Sequence, residues 1–444
     1  MLIVQKYGGS SVKDAERIRN VTSIIKNTYE RLGKKPKSLL VVLSAAGGIT
    51  DMLINAAKTP DDDERHKIYN EIVDRHKKIC SDLEIDYDLI SDLLIEAKEY
   101  IEDEDSTKKT MDVVQSFGER LSTRVLSAYL NKIGIPSKQW DAYDAGVVTN
   151  DEFGNAEILP ETYTNIKKKL GKFEGVPVVT GFIGRTKKGD ITTLGRGGSD
   201  YSGAIFGAAL DADVVEIWTD VNGIMTADPR IVKNAKTVPV VSFSEASELA
   251  FFGAKVLHPK TILPVVKKDI PVKILNTYEP DHPGTIIVNR LDLQYEAPHK
   301  AIAFKKNIQV INVNSLRMLD SYGFLAKMFE VFKKYKVSVD MIATSEVSVS
   351  MTLDPNIDLS KVVEKLQEFS SVKVSKDKSL ICVVGQTSNK TPGEVGRLFT
   401  ILGKEGINIE MISQGASEVN IAFVVNQSDM ERGILALHKE LFEK

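Results

Sequence analysis

Cysteine is almost missing from this sequence. The 444 residues include two, Cys80 and Cys382, too few and too far apart for a disulfide framework or a cysteine-based zinc site. Histidine is scarce too: there are six, with no metalloprotease spacing among them, so no metal ligand is expected from the protein. Long apolar runs are lacking. Nothing approaches the ~20 residues that a membrane helix needs, and the opening Met1-Leu2-Ile3-Val4-Gln5-Lys6 is too short and wrongly flanked for a secretory signal. The expectation is a cytoplasmic protein with no membrane partner. A dominant charge is absent as well. With 58 basic against 61 acidic residues and a formal net charge of −3, there is no basic field to hold nucleic acid. Neither a Walker A pattern nor a complete dinucleotide fingerprint occurs, which excludes a standard P-loop and a nicotinamide site.

What is present is ordinary globular material, 42% hydrophobic and 27% charged, long enough for roughly three domains at about 150 residues each. Charge is unevenly spread. Residues 61–105 carry 17 acidic and 6 basic side chains. Ile72, Ile79, Leu83, Ile90, Leu94 and Ile101 recur there at helical spacing, which reads as an insertion of amphipathic helices with a solvated acidic face, about residues 59–110. On either side of it the chain alternates strand and helix signals. Leu2–Lys6, Leu39–Ser44, Val176–Thr180, Val214–Thr219 and Val272–Asn276 are short apolar runs, most followed by glycine or a capping residue and then a helical pattern. Near-continuous apolar strands between helices imply a largely parallel sheet covered on both faces, an α/β sandwich over residues 1–290. The proline-bearing stretch Asn276–Lys300 reads as its exit.

Beyond the exit the sequence repeats itself. Gly323-Phe324-Leu325-Ala326-Lys327-Met328-Phe329 lies 70 positions before Gly393-Glu394-Val395-Gly396-Arg397-Leu398-Phe399, and the same offset pairs Val339 with Ile409, Asp340 with Glu410 and Met341 with Met411. Each copy reads strand, helix, strand, strand, helix, strand, the ferredoxin-like βαββαβ unit. The copies span 301–380 and 381–444, sharing a strand near 301–314.

Several constellations in the first 290 residues could carry chemistry. Lys6-Tyr7-Gly8-Gly9-Ser10-Ser11 joins a strand to a helix. Glycines there let backbone amides approach a phosphate, and the helix start adds free N–H groups beside the Lys6 charge. Thr193-Leu194-Gly195-Arg196-Gly197-Gly198-Ser199-Asp200 again precedes a helix, read as Tyr201–Leu210; its glycines form an anion nest in which Arg196 can grip a carboxylate bidentately. Ser44-Ala45-Ala46-Gly47-Gly48-Ile49-Thr50 supplies two hydroxyls after a strand. Gly118-Glu119-Arg120 reads as a helix opening, with Glu119 able to accept an ammonium group. Trp218-Thr219-Asp220 ends a strand, and Gly253-Ala254-Lys255-Val256 offers another lysine.

Together and in this order, KYGGSSV, VVLSAAGGIT, SFGER, TLGRGGSDYSGA, WTDVNGIMTADPR and FFGAKVLHP resemble the aspartate kinases of the amino-acid kinase family, and the C-terminal repeat resembles their paired ACT regulatory domains. The resemblance implies an αβα sandwich followed by two ACT domains, and ATP-dependent phosphorylation of the β-carboxylate of L-aspartate. It implies that Lys6 and Asp200 are catalytic, and that Ser44, Thr50, Glu119, Arg196, Gly197, Gly198 and Ser199 hold the substrate. ATP would lie on Lys6, Tyr7, Gly8, Gly9, Thr219, Asp220, Met225, Arg230, Lys255 and Val256, with Mg2+ carried by its phosphates. In the first ACT copy, Met318, Ser321, Gly323, Phe324, Leu325, Val339, Asp340, Ser345 and Glu346 resemble the effector pocket of lysine-sensitive members, at a homodimer interface that pairing of dimers could extend. Two other readings stand beside this one. Another amino-acid kinase, acting on glutamate or acetylglutamate, would share the cradles; Arg196 with Glu119 favours a free amino acid over an acetylated one, whose amine would not require the carboxylate. A catalytically silent ACT sensor would have no reason to keep Lys6, Arg196 and Asp200.

Overall fold

The computed structural model describes residues 1–103, 107–253, 257–289, 297, 299–319, 322–385, 392–414 and 419–443. By packing they divide into Met1–Ile224 with Val256–Arg290, and Met225–Lys255 with Leu291–Lys444. In chain order the strands are β1 (Ile3–Tyr7), β2 (Leu39–Leu43), β3 (Ser137–Trp140), β4 (Val148–Thr149), β5 (Val176–Thr180), β6 (Ile183–Thr186), β7 (Ile191–Thr193), β8 (Val214–Thr219), β9 (Val240–Ser242), β10 (Val272–Asn276) and β11 (Thr285–Val288). All but β9 belong to the first unit. The helices up to this point are α1 (Ala15–Arg31), α2 (Ile49–Lys58), α3 (Asp62–Leu83), α4 (Asp88–Glu102), α5 (Lys108–Lys132), α6 (Glu161–Leu170), α7 (Gly198–Leu210), α8 (Phe243–Phe251) and α9 (Leu263–Val266).

The main sheet of the first unit runs β3-β5-β2-β1-β8-β10-β11. Its neighbours are parallel except β11, which returns antiparallel to β10. The apolar runs IVQKY, LLVVL and VPVVT are buried at every position, as strands covered on both faces must be. On one face α1 packs Ile18, Val21 and Ile25 into the cluster that holds Ile3, Tyr7, Leu39 and Val41; Asp14 caps this helix by accepting the Arg17 N–H at 2.9 Å. On the other face α7 lies so close that a Cβ on Gly207 would sit 2.4 Å from a Val215 methyl. Strand β1 is central, with the chain stepping to β2 on one side and to β8 on the other. Parallel sheets open a crevice at such a reversal, beyond the C-terminal strand ends. The acidic insertion forms α3 and α4, which bury Ile72, Ile79, Leu83, Ile90, Leu94 and Ile101.

The second unit carries β12 (Ala301–Asn314), β13 (Met341–Thr344), β14 (Ser348–Leu353), β15 (Ser371–Val384), β16 (Met411–Gln414) and β17 (Asn420–Asn426), with helices α10 (Phe324–Lys334), α11 (Ser360–Gln367), α12 (Glu394–Lys404) and α13 (Met430–Phe442). Its antiparallel sheet runs β13-β14-β12-β15-β17-β16. Strands β12 and β15 are each 14 residues long and serve both ferredoxin-like copies. Gln309–Asn314 pairs with β14, whereas Ala301–Lys305 pairs with Leu380–Val384, the half of β15 that borders β17. No helix among the described residues is long and apolar enough to cross a membrane.

Three expectations differ from the structure. Gly118-Glu119-Arg120 does not open a helix but lies in the middle of the 25-residue α5. The reason for the glycine is close approach, since a Cβ at Gly118 would meet Ala45 Cβ at 2.6 Å. The helix read as Tyr201–Leu210 begins at Gly198. The stretch Asn276–Lys300 is not only an exit, because Thr285–Val288 forms β11. In the second copy the strand position that follows α13 is filled by residues 301–305 of β12, inside the stretch read as shared. In addition, residues 225–255 pack with the second unit. There Ala227 and Val232 are buried in the cluster of Ile381, Phe423 and Leu437, and the Ile302 N–H donates to the Thr226 carbonyl at 2.8 Å.

Candidate active site

Beyond the C-terminal end of β1 the first unit opens into a cleft of about 690 Å3, lined by Lys6, Gly9, Ser44–Gly48, Thr50, Glu119, Phe182 and Gly195–Asp200 among others. Sheet alternation sends Lys6 to this side and Gln5 and Tyr7 to the other. The Lys6 ammonium meets Asp200 at 2.6 Å, both side chains being largely buried. Asp200 stands in the first turn of α7, where the helix dipole favours a carboxylate. The lysine stem reaches it past Gly203, where a Cβ would come within 3.2 Å of Lys6 Cβ.

Two helices begin at the cleft. Gly48 precedes α2 with φ 86° and Gly197 precedes α7 with φ 72°, left-handed conformations that favour glycine. The first turns of both helices line the cavity, through Thr50 and Asp51 of α2 and Ser199 and Asp200 of α7, and a helix start is a ready anion site. The glycine turn after β1 is tied to the loop after β2: the Gly47 N–H donates to the Gly9 carbonyl at 2.9 Å and the Ser44 N–H to the Tyr7 carbonyl at 3.1 Å. A Cβ on Gly9 would lie 2.7 Å from the Ala45 carbonyl, so the two turns are fitted together.

Glu119 enters from α5 and is 3% exposed. Its Oε1 accepts the Ala45 N–H at 3.1 Å, while Oε2 has no hydrogen-bond partner. Burial pushes the carboxyl up to about 8, against the lowering pull of the Ala45 amide and the Lys6 charge. A buried acceptor without a donor is costly, and here it faces a cleft that also holds Arg196. The lining thus offers an arginine fork, a lysine and two helix starts for anionic groups, with a buried carboxylate for a cation.

Lys6, Gly9, Ser44, Thr50, Glu119, Arg196, Gly197, Gly198, Ser199 and Asp200 are brought together in this one cleft. Gly8 is adjacent: its N–H donates to the Trp218 carbonyl at 3.2 Å, at the strand end that carries Thr219 and Asp220. Tyr7 turns away. Its ring is buried against Trp218, with centroids 6.0 Å apart, so of this residue only the main chain is left for a ligand in the cleft. Met225 and Arg230 lie in the second unit, where the Arg230 guanidinium holds Asp228 at 2.6 Å. Lys255 and Val256 fall outside the described residues. Sequence reasoning missed Gln115, Gly154 and Phe182, which also line the cleft. Gln115 stands one helical turn before Glu119, a signal hidden by the misplaced helix start. Phe182 adopts φ 66°, which no pattern of residue types foretold.

In the first ACT copy Gly323 caps α10 with φ 79°, Phe324 packs edge-on against Phe369 at 5.8 Å and Leu325 is exposed. Met318 and Val339 pack against the same core. Asp340 is held by the Lys305 ammonium at 2.8 Å, and burial raises its carboxyl against that pull. Ser345 hydrogen-bonds Ser348, and Glu346 is exposed. Ser321 lies outside the described residues. The second copy repeats the ion pair as Lys378 with Glu410.

A model of the amino acid kinase family matches residues 1–276, and an ACT domain model matches residues 311–368 and 381–441. Aspartokinase 1, chloroplastic, of Arabidopsis thaliana is 40% identical over 466 residues, covering 99% of this chain and 80% of its own length. The structure of Escherichia coli aspartokinase III in complex with aspartate and ADP is 34% identical, with a TM-score of 0.83 and full coverage of both chains. The same enzyme in complex with lysine and aspartate gives a TM-score of 0.80 at 34% identity, covering 99% of each chain.

Proposed function

Since this chain belongs to the aspartokinases of the amino acid kinase family, we propose a residue-by-residue account of how it phosphorylates the β-carboxylate of L-aspartate with ATP and answers to L-lysine through its ACT domains. One observation carries the account: Glu119 Oε2, buried and unpartnered, shares a cleft with Arg196 and with the Lys6–Asp200 ion pair. That is the complement of a free amino acid bearing a second, reactive acid group.

In this reading Arg196 grips the α-carboxylate and Glu119 takes the α-ammonium. The β-carboxylate is left beside Ser44, Thr50 and the α7 start formed by Gly197, Gly198 and Ser199. An aspartate side chain with an ordinary pKa near 3.9 is already ionised at neutral pH, so no general base is needed. The barrier is electrostatic, an anion attacking a polyanion, and it falls by positioning and charge neutralisation. Lys6, held in place by Asp200, supplies that neutralisation where the acceptor oxygen meets the transferred phosphoryl group. The ATP phosphates lie on Gly8, Gly9 and the main chain of Tyr7, and the nucleotide runs toward Thr219 and Asp220. Bound magnesium, carried on those phosphates, would draw charge from them. Among the described residues no cluster of three His, Cys, Asp or Glu side chains could cage it.

For regulation, Asp340 and Glu346 provide the negative charge a diamino acid requires, with Lys305 displaced from Asp340 as the effector's ammonium arrives. Exposed Leu319, Tyr322, Leu325 and Ile342 support a homodimer formed through the first ACT copy. We retain a catalytic region 1–290 and ACT units 301–380 and 381–444 as the domain proposal, with a cytoplasmic place of action. The deciding experiment is a coupled assay of ADP release with aspartate, glutamate and N-acetylglutamate, each alone, with lysine and with threonine. Turnover confined to aspartate and suppressed by lysine supports the account. Turnover with N-acetylglutamate would remove the role given to Glu119, and inhibition by threonine but not lysine would remove the effector assignment.

A further inference from the structure

Asp112 is completely buried in the first turns of α5, and every donor it meets is neutral. Its Oδ2 accepts the Gly154 N–H at 2.9 Å and the Thr193 N–H at 2.9 Å, and its Oδ1 accepts the Thr193 hydroxyl at 2.8 Å. A buried carboxylate is an expensive way to satisfy three neutral donors, and burial raises its pKa against all three of them. The placement accounts for its presence. Thr193 ends β7, and the chain runs from it through Leu194 directly into Gly195 and Arg196. Gly154 belongs to the neighbouring turn, which is stitched to the same strand end by the Ala156 N–H donating to the Thr193 carbonyl at 2.9 Å. The next residue, Asn155, lies so near that a Cβ on Gly195 would approach its side-chain oxygen to 2.5 Å.

On α5, Asp112, Gln115 and Glu119 share one face at spacings of three and four residues, and both Gln115 and Glu119 line the cleft. Asp112 and Glu119 are two turns apart, about 10.5 Å along a rigid rod. One helix therefore carries the ammonium partner at one point and holds the root of the arginine loop at another.

We infer that Asp112 is a positioning residue that sets the spacing between Arg196 and Glu119, and so fixes the fit of the amino-acid substrate's α-carboxylate and α-ammonium. This rests on the reading of Arg196 and Glu119 given above. Asp112 touches no substrate; it acts through β7 and the loop that follows. Length matters more than charge here. An asparagine can accept both N–H groups on its oxygen and donate its amide to the Thr193 hydroxyl, whereas a glutamate pushes β7 outward by one methylene.

The test is steady-state kinetics of the full-length enzyme with Asp112→Asn, Asp112→Glu and Thr193→Val, varying aspartate and ATP separately. Asp112→Glu is expected to raise the aspartate KM at least about tenfold, with the ATP KM changed less than about twofold. Asp112→Asn should stay within about threefold of the parent, and Thr193→Val should raise the aspartate KM about threefold or more. A merely structural role would lower the active fraction and leave the KM split untouched. Unchanged aspartate KM in Asp112→Glu and Thr193→Val overturns the inference, as does an equal rise in both KM values. Should Asp112→Glu fail to fold, an unchanged aspartate KM in Thr193→Val overturns it alone. Arg196→Lys separates the two levels: an unchanged aspartate KM in that variant sinks the reading of the cleft itself, and a raised one leaves the Asp112 variants to decide.

Discussion

Replacing Glu119 by glutamine should stabilise the ligand-free enzyme while crippling its hold on aspartate, and the stabilisation should grow with pH. Burial lifts this carboxyl from 4.5 to about 8, so ionising it in the fold costs about 5 kcal/mol more than in the unfolded chain. The sign follows from linkage. Below about pH 4.5 both states are protonated and there is no penalty; as pH rises through 8 the folded state must ionise a group that the unfolded chain ionised long before. The penalty is about 1 kcal/mol at pH 5, about 3 at pH 7 and about 5 at pH 9. Glutamine keeps an oxygen for the Ala45 N–H and removes the charge. At about 2–4 °C per kcal/mol for a unit of this size, the gap in thermal midpoint between the variant and the parent should widen by on the order of 10 °C from pH 5 to pH 9. Thermal denaturation across that range, without substrate, is the assay. Added aspartate should narrow the gap, since its ammonium compensates the buried charge in the parent alone. A gap that stays constant with pH, or a variant less stable at pH 9, would refute both the cause assigned to the raised pKa and the idea that this carboxylate waits for a cation.

Two further outcomes follow from the same geometry. Lys6→Ala should lower kcat by at least about a hundredfold while leaving intact the thermal shift that lysine produces in the full chain; wild-type turnover would contradict the role of the Lys6–Asp200 pair. Asp340→Asn should raise the lysine concentration for half-inhibition about tenfold with lysine-free turnover unchanged, measured by the ADP-release assay; unaltered inhibition would place the effector elsewhere.

Those elements whose residues speak for themselves were legible in the sequence. The runs at β1, β2, β5, β8 and β10 are apolar enough that burial on both faces is their one stable fate. The six isoleucines and leucines of the acidic insertion keep helical spacing because one face of α3 and α4 must be dry. The glycine turns beside Lys6 and Arg196 could be read because a backbone that approaches an anion has few alternatives to glycine. What escaped depends on contacts far apart along the chain. Gly118 has the look of a helix boundary, but its missing side chain is a space filled by Ala45, 73 positions away. The strand shared near 301–314 could be read from the repeat, but not that its first residues, Ala301–Lys305, would be the ones to meet Leu380–Val384, because a strand's partner is chosen by the rest of the fold and not by its own composition. Asp112 stayed hidden for a related reason: one aspartate near a helix start is ordinarily a cap or a dipole effect. Its partners Gly154 and Thr193 are 42 and 81 residues distant. Groups that touch a ligand tend to sit in local, glycine-marked turns, whereas groups that hold those turns at the right distance are assembled from the whole sheet. A reading from sequence alone therefore finds the grips of this cleft more readily than the residues that set the gap between them.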